Sequence, residues 1–254
     1  MTDFSHVADE YDTISRDYRE SKLLPFCLHV EQYSMFSLIP NLAGRSVVDL
    51  ACGEGIYSRN LKRRGAARVL GIDISAEMVT LAKEVETAEP VGVEYLQSDV
   101  AKVDTEERFD IAFCSYLFNY ARSRDELRSL ITSVARLLRP GGFVVGCNDY
   151  PDNPPTHYER YRPYGFIKIG PLERSEGSTI TYRFFNPDGS VFELDNYFLP
   201  TSMYREEFTA AGFNSFDWVM PRVSPEGQVA FEPGFWDAYL ESPPIVSFSA
   251  SSSP

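Results

Sequence analysis

Between Ser46 and Cys147, short apolar runs alternate with longer stretches of helical period. The runs are Ser46–Leu50, Arg68–Ile74, Val93–Gln97, Phe109–Ser115 and Phe143–Cys147. FDIAFCS, the fourth, is apolar almost throughout, as suits a strand buried on both faces. The stretches between carry helix signals. Ile56–Arg64 is amphipathic, Ser75 is a good N-cap for a helix containing Met78 and Glu84, and Asp125–Leu138 ends in Arg139-Pro140-Gly141-Gly142. A βαβα alternation of this kind predicts a doubly wound parallel sheet with right-handed crossovers.

The flanks follow other patterns. Ala8–Tyr18 puts Tyr11 and Tyr18 seven residues apart, on one face of a helix, and a second helix over Cys27–Ile39 stops at Pro40. Past Asp149, Pro151–Pro163 is rich in Pro and Tyr. Ser178–Phe185 and Val191–Phe198 then flank the turn Asn186-Pro187-Asp188-Gly189, which reads as a hairpin. A helix over Tyr204–Ala211, capped by Gly212, and a strand over Phe213–Met220 follow. Residues 1–242 therefore read as a single domain. It has a helical lid (1–40), a core (46–148), a β-rich insertion (149–199) and a closing helix and strand (200–242). The Ser/Pro-rich residues 243–254 are expected to be a disordered tail.

Composition narrows the partners. A net charge of −13 and a pI near 4.7 argue against nucleic acid, which needs clustered Lys and Arg. The basic run Leu61–Arg68 reads as a helix C-terminus. No apolar run reaches the ~18 residues of a membrane span. No leading apolar segment marks a secretory signal, and the four cysteines form no C-x-x-C pair, so no metal is expected and a reducing cytoplasm is the default. Without a heptad or apolar stripe, a monomer or weak homodimer is expected.

The chemistry concentrates at strand ends. In an open α/β sheet, ligands bind beyond the carboxyl ends of the strands. That puts Ala51–Gly55, Asp73, Asp99 and Ser115–Tyr120 around one crevice. VVDLACGEG (Val47–Gly55) runs a strand into a glycine turn, and VLGIDI (Val69–Ile74) delivers Asp73 at its end, where an acid can accept from ribose hydroxyls. The pair reads as a site for an adenosine-containing cofactor. A dinucleotide is disfavoured, because Ser58 stands at the third fingerprint glycine and Glu54 would face pyrophosphate charge.

With these motifs in order, the chain resembles class I S-adenosylmethionine (SAM) methyltransferases. The matching parts are Asp49-Leu50-Ala51-Cys52-Gly53-Glu54-Gly55 after strand one, Asp73 in GIDIS, Asp99 in QSDV, FDIAFCSYLF and LLRPGGFVV. The resemblance covers about Tyr11–Gly146. It implies a Rossmann-like α/β sheet binding SAM and releasing S-adenosylhomocysteine (SAH). The cofactor residues it implies are Tyr11, Tyr18, Asp49, Ala51, Cys52, Gly53, Gly55, Asp73, Ile74, Met78, Ser98, Asp99, Val100, Ser115 and Tyr116. Among them, Gly53 and Gly55 would lie against the methionine portion and ribose, Asp73 would take the ribose hydroxyls and Asp99 the adenine amino group. Ile74 and Met78 would sandwich the ring.

Methyl transfer from a sulfonium is in-line displacement, driven mainly by proximity. A ring nitrogen needs no strong base, whereas a hydroxyl does. His157, in the insertion, is the candidate base, with Tyr116 beside it as a second catalytic candidate. His29 reads as structural and His6 falls in the lid. Tyr11, Tyr18, Tyr116, Asn119, Tyr120, Tyr158 and Tyr182 are the candidate substrate residues. Tyrosines stack on planar rings and hydrogen-bond their edges, so a small planar heteroaromatic acceptor is expected. The plan is also similar to that of natural-product methyltransferases acting on azapteridines of the toxoflavin kind. A protein methyltransferase and a SAM-binding module of another activity are the alternatives.

Overall fold

The computed structural model describes residues 4–253. Seven strands form the central sheet in the order β3-β2-β1-β4-β5-β10-β9. The first five are β1 (Ser46–Leu50), β2 (Arg68–Asp73), β3 (Val93–Gln97), β4 (Phe109–Ser115) and β5 (Leu138–Asp149), all parallel. β9 (Phe213–Val219) and β10 (Ile245–Ser252) complete the sheet. The strands read from the pattern are present, with β5 longer at both ends. Reversal of the strand order between β1 and β4 opens the crevice that such sheets use for ligands. Two apolar cores lie on the two faces, one containing Val47, Val69 and Phe113, the other Val48, Leu70 and Ile131.

The tail expectation was wrong. Residues 245–252 are not disordered but form β10, which pairs antiparallel with both β5 and β9. Ile245, Val246, Phe248 and Ala250 are buried. The interleaved serines imitate low complexity; as small residues they fit a crowded interior strand.

Helix α1 (Ser5–Ser21) lies against the crevice. A single π-helical turn, Cys27–Glu31, runs into α2 (Gln32–Leu38). α3 (Ile56–Arg63) starts from Gly55 in the left-handed region, φ +78°. α4 (Ala76–Ala88) is capped by Ser75 Oγ accepting from Met78 N–H at 3.1 Å, and α5 (Arg124–Leu137) by Ser123. The insertion holds a 3₁₀ segment (Pro155–Tyr164) and a three-stranded antiparallel sheet of β6 (Phe166–Ile169), β7 (Thr179–Phe185) and β8 (Val191–Tyr197). β7 and β8 are the expected hairpin. Phe166, Tyr182, Phe184 and Phe192 stack across this sheet in sequence. A buried ion pair, Lys168 Nζ to Asp149 Oδ1 at 2.5 Å, ties it to the end of β5. α6 (Thr201–Ala210), α7 (Pro225–Ala230) and α8 (Asp237–Glu241) close the chain, α6 held to α5 by Arg124 and Arg128 on Glu207.

Candidate cofactor and acceptor site

The crevice is built by backbone first. The turn after β1 carries positive φ at Ala51 (59°), Gly53 (54°) and Gly55 (78°). A non-glycine residue held at positive φ is strained and marks sites that need the geometry. Asp73 fixes the turn: its Oδ2 accepts from Gly53 N–H at 2.7 Å and its Oδ1 from Ser75 N–H at 2.9 Å. Burial pushes the Asp73 carboxyl up to about 6, against the pull of these N–H donors. Below the turn, Asp49 is fully buried and accepts from Ser58 Oγ at 2.5 Å. Burial pushes its carboxyl up to about 7, with the Ser58 bond opposing.

A cavity opens beyond these strand ends. Asp73, Ile74, Asp99 and Val100 line one side, Ala51, Gly53, Ser115 and Tyr116 another, and Tyr11 and Tyr18 of α1 the roof. Asp99 caps its own short turn, accepting from Ala101 N–H at 2.9 Å. The donor set fits SAM. Two carboxylates stand ready for the ribose hydroxyls and the adenine amino group, apolar side chains flank a ring, and Ser115 Oγ is buried without a hydrogen-bond partner among the described residues. A Cβ at Gly53 would meet only the Tyr18 ring, at 3.9 Å, so the turn is open to the cavity. At this end a recess lined by Lys22, Cys52, Gly53 and Ser115 continues the space.

A second cavity adjoins the first and shares Tyr11, Tyr18, Tyr116 and Tyr120 with it. Asn119, Tyr182, Phe184 and Phe26 also line it. The Tyr11 and Tyr120 hydroxyls hydrogen-bond to each other, and the Tyr11 and Tyr18 rings meet edge to face at 5.1 Å. Tyr116 sits at φ +61°, the second strained non-glycine residue of the described chain. Its hydroxyl donates to Glu31 Oε2 at 2.5 Å.

Glu31 is the residue that sequence reasoning missed. It is 1% exposed. Oε1 accepts from the Tyr57 hydroxyl and from Lys22 Nζ at 3.2 Å. Lys22 Nζ lies 5.0 Å from the Tyr18 ring centre and 5.4 Å from those of Tyr57 and Tyr116, a cation–π setting. Burial alone would push the Lys22 ammonium down, but Glu31 and the phenols hold it well above the ordinary lysine range. The available signal was a lone acid on the buried stripe Cys27, Val30, Glu31, Ser34, Met35 of a helical stretch. The π-helical turn that ends at Glu31 is a form common at functional sites.

Several expected site residues lie elsewhere. His157 is not at either cavity; its Nδ1 pairs with Ser242 Oγ at 2.8 Å. Tyr158 is also outside, its hydroxyl accepting from Arg174 at 3.1 Å and its ring packed on the Lys168 ammonium. His157 thus packs at the end of α8, and Tyr158 beside the buried Lys168–Asp149 pair that ties the insertion to the end of β5. Met78 is core packing, 1% exposed and not a cavity residue. Gly55 does not line the crevice either; the space a side chain would need is filled by the Tyr95 ring. Asp49 supports the turn from beneath, and Ser98 acts through its N–H on the Asp73 carbonyl at 2.8 Å. Tyr182 lines the second cavity while its hydroxyl donates to Asp149 at 2.6 Å. Cys52 has its thiol pushed well up by burial, as befits a small packing residue. His29 is structural, pairing with Ser224. No group of metal-ligating side chains occurs among the described residues, and none of their helices is long and apolar enough to cross a membrane.

Comparison with known proteins places this geometry. Residues 47–142 match the family described as a methyltransferase domain. A ubiquinone biosynthesis O-methyltransferase from Pseudomonas fluorescens is 33% identical over 106 residues, which cover 41% of this chain and 44% of that protein. The chain spans about half the length of the curated relatives it matches. Among solved structures, an S-adenosylmethionine-dependent methyltransferase from Mesorhizobium loti is similar at a TM-score of 0.62 and 18% identity, with 91% of this chain and 99% of that one covered. The [4+2]-cyclase SpnF is similar at 0.63 and 16%, with 97% and 96% covered.

Proposed function

We propose that this chain is a class I S-adenosylmethionine-dependent methyltransferase that methylates a nitrogen or oxygen of a small planar metabolite held in the second cavity. The observation that carries the reading is the pair of adjoining cavities, joined at Tyr116 and walled by shared tyrosines. The first has the donor set for adenosine. The second is walled by tyrosines and phenylalanines, side chains that stack on flat rings. The curated relatives named as ubiquinone biosynthesis O-methyltransferases support an oxygen as one acceptor type.

When bound, SAM supplies a sulfonium-activated methyl group. The chain's part is to orient. Asp73 and Asp99 anchor the nucleoside end, Gly53 and Ala51 shape the turn, and Tyr11, Tyr18 and Tyr120 exclude water. Holding two reactants at near-attack distance is worth up to ~7–11 kcal/mol of the barrier. His157 lies outside both cavities, no imidazole among the described residues lines them, and Glu31 is the carboxylate on the acceptor side.

A second reading follows from the similarity to a cyclase: a fold of this kind also serves a protein named for a [4+2] cycloaddition. The two separate in one assay. Incubation with methyl-labelled SAM and a panel of planar phenols and N-heterocycles should yield labelled acceptor and one SAH per methyl. SAM binding without SAH release on any acceptor would favour the non-methylating reading.

A further inference from the structure

The lining of the second cavity includes an unsatisfied donor, on Asn119, and an accepting carboxylate, Glu31. Asn119 is 1% exposed. Its Oδ1 accepts from Asp149 N–H at 3.0 Å, which fixes the amide orientation, because only the oxygen can accept. Nδ2 is left buried with no partner among the described residues. A buried amide N–H₂ without a partner costs free energy that a ligand can recover. In the same cavity, Glu31 Oε2 takes one strong bond, from Tyr116, and one weak one, from the Cys27 thiol at 3.7 Å. A carboxylate oxygen accepts two good bonds, and a thiol is a poor donor. One acceptor position is therefore under-used.

Resting on the methyltransferase reading, we infer that Asn119 Nδ2 and Glu31 together recognise an acceptor molecule that carries a carbonyl oxygen beside an N–H or O–H. Asn119 donates to the carbonyl, and Glu31 accepts from the neighbouring donor in place of the thiol. Phe26, Phe184 and Tyr182 supply the apolar walls for the ring that bears this edge. Asn119 is thus a specificity residue, and the substrate class is narrowed to planar rings with a lactam or hydroxy-carbonyl edge. A ring with only one of the two groups leaves a buried partner unsatisfied and is discriminated against.

Three bicyclic probes of similar size separate the possibilities: 2-quinolinone (both groups adjacent), quinoline (acceptor only) and indole (donor only). Each is titrated into the SAH-loaded protein and, separately, into the protein without SAH. Wild type is expected to bind 2-quinolinone at least tenfold more tightly than either control. Asn119→Asp keeps the acceptor for Asp149 N–H but loses the donor, and should bring 2-quinolinone down to the level of indole. Asn119→Leu should do the same. SAH affinity within about twofold of wild type shows that each variant is folded. Equal binding of the three probes, binding of none, or a preference unchanged in both variants would overturn the inference. Failure of SAH to bind wild type would instead strike the cofactor reading, while the probe series without SAH still reads the Asn119 preference.

Discussion

Asp73 connects the stability of the folded chain to its cofactor. Its carboxyl is pushed up to about 6 and that of Asp49 to about 7, in both cases first by burial. An acid of ordinary pKa near 4 in the unfolded chain therefore binds its proton more tightly when folded, so ionisation of these groups opposes folding. The sign is opposite to that of a salt-bridged acid: their contribution to stability is fullest below about pH 4 and is lost as pH rises toward 7. Asp49→Asn should flatten that decline, by a few kcal/mol at most between about pH 4 and 7, read as melting temperature against pH. Ligand binding runs the other way. In the proposed site ribose hydroxyls would donate to ionised Asp73, so SAH affinity should rise as pH rises through about 6 and the rise should vanish in Asp73→Asn. The acids and the glycine turn were legible in the sequence, because a strand pattern fixes where a strand ends. Glu31 was not, because a single acid in an apolar helical stretch reads as an exposed residue until the tertiary contacts with Lys22, Tyr57 and Tyr116 are known.

At the scale of elements, α1 is latched to both sides of the crevice. Asp12 accepts from the Ser75 hydroxyl and from Glu77 N–H at the start of α4, where a negative charge is favoured. On the other side, Asn186 donates to the Asp17 carbonyl at 2.8 Å, and Asp195 N–H to Glu10 at 3.3 Å. Tyr11 and Tyr18 project from this helix into both cavities, as their seven-residue spacing predicted. A lid held by a few polar contacts can open for exchange and close for chemistry. Asp12→Ala should therefore weaken SAH binding by roughly three- to tenfold, the worth of about one hydrogen bond, with little change in melting temperature. Unchanged affinity in calorimetry would mean that α1 does not gate the cofactor. The insertion was legible as a hairpin but not in its orientation. The pair Lys168–Asp149 that ties it to the end of β5 joins residues with no local pattern, and His157 and Tyr158 lie outside the cavities.

For the whole molecule, the strand order is what brings the site together and what a local reading of the termini misjudged. β10 lies between β5 and β9, so its buried Ile245, Val246 and Phe248 complete both cores. Ending the chain at Ser242 should abolish cooperative unfolding and leave exposed sheet edges that aggregate. Ala250→Asp, which buries an unpaired charge on β10, should destabilise the fold by several kcal/mol. Both are read by calorimetric melting. Polar spacing marks a strand as solvent-facing, but serines are small enough to sit inside a sheet, and only the pairing partners reveal it.

The central claim is that Asp73, Asp99 and the Ala51–Gly55 turn bind the adenosyl cofactor. Isothermal titration of SAH into wild type and Asp73→Ala tests it directly. One site per chain is expected, weakened in the variant by about 1.5–3 kcal/mol, the worth of a hydrogen bond to a charged group. No binding to wild type, or equal binding to both proteins, would contradict the account.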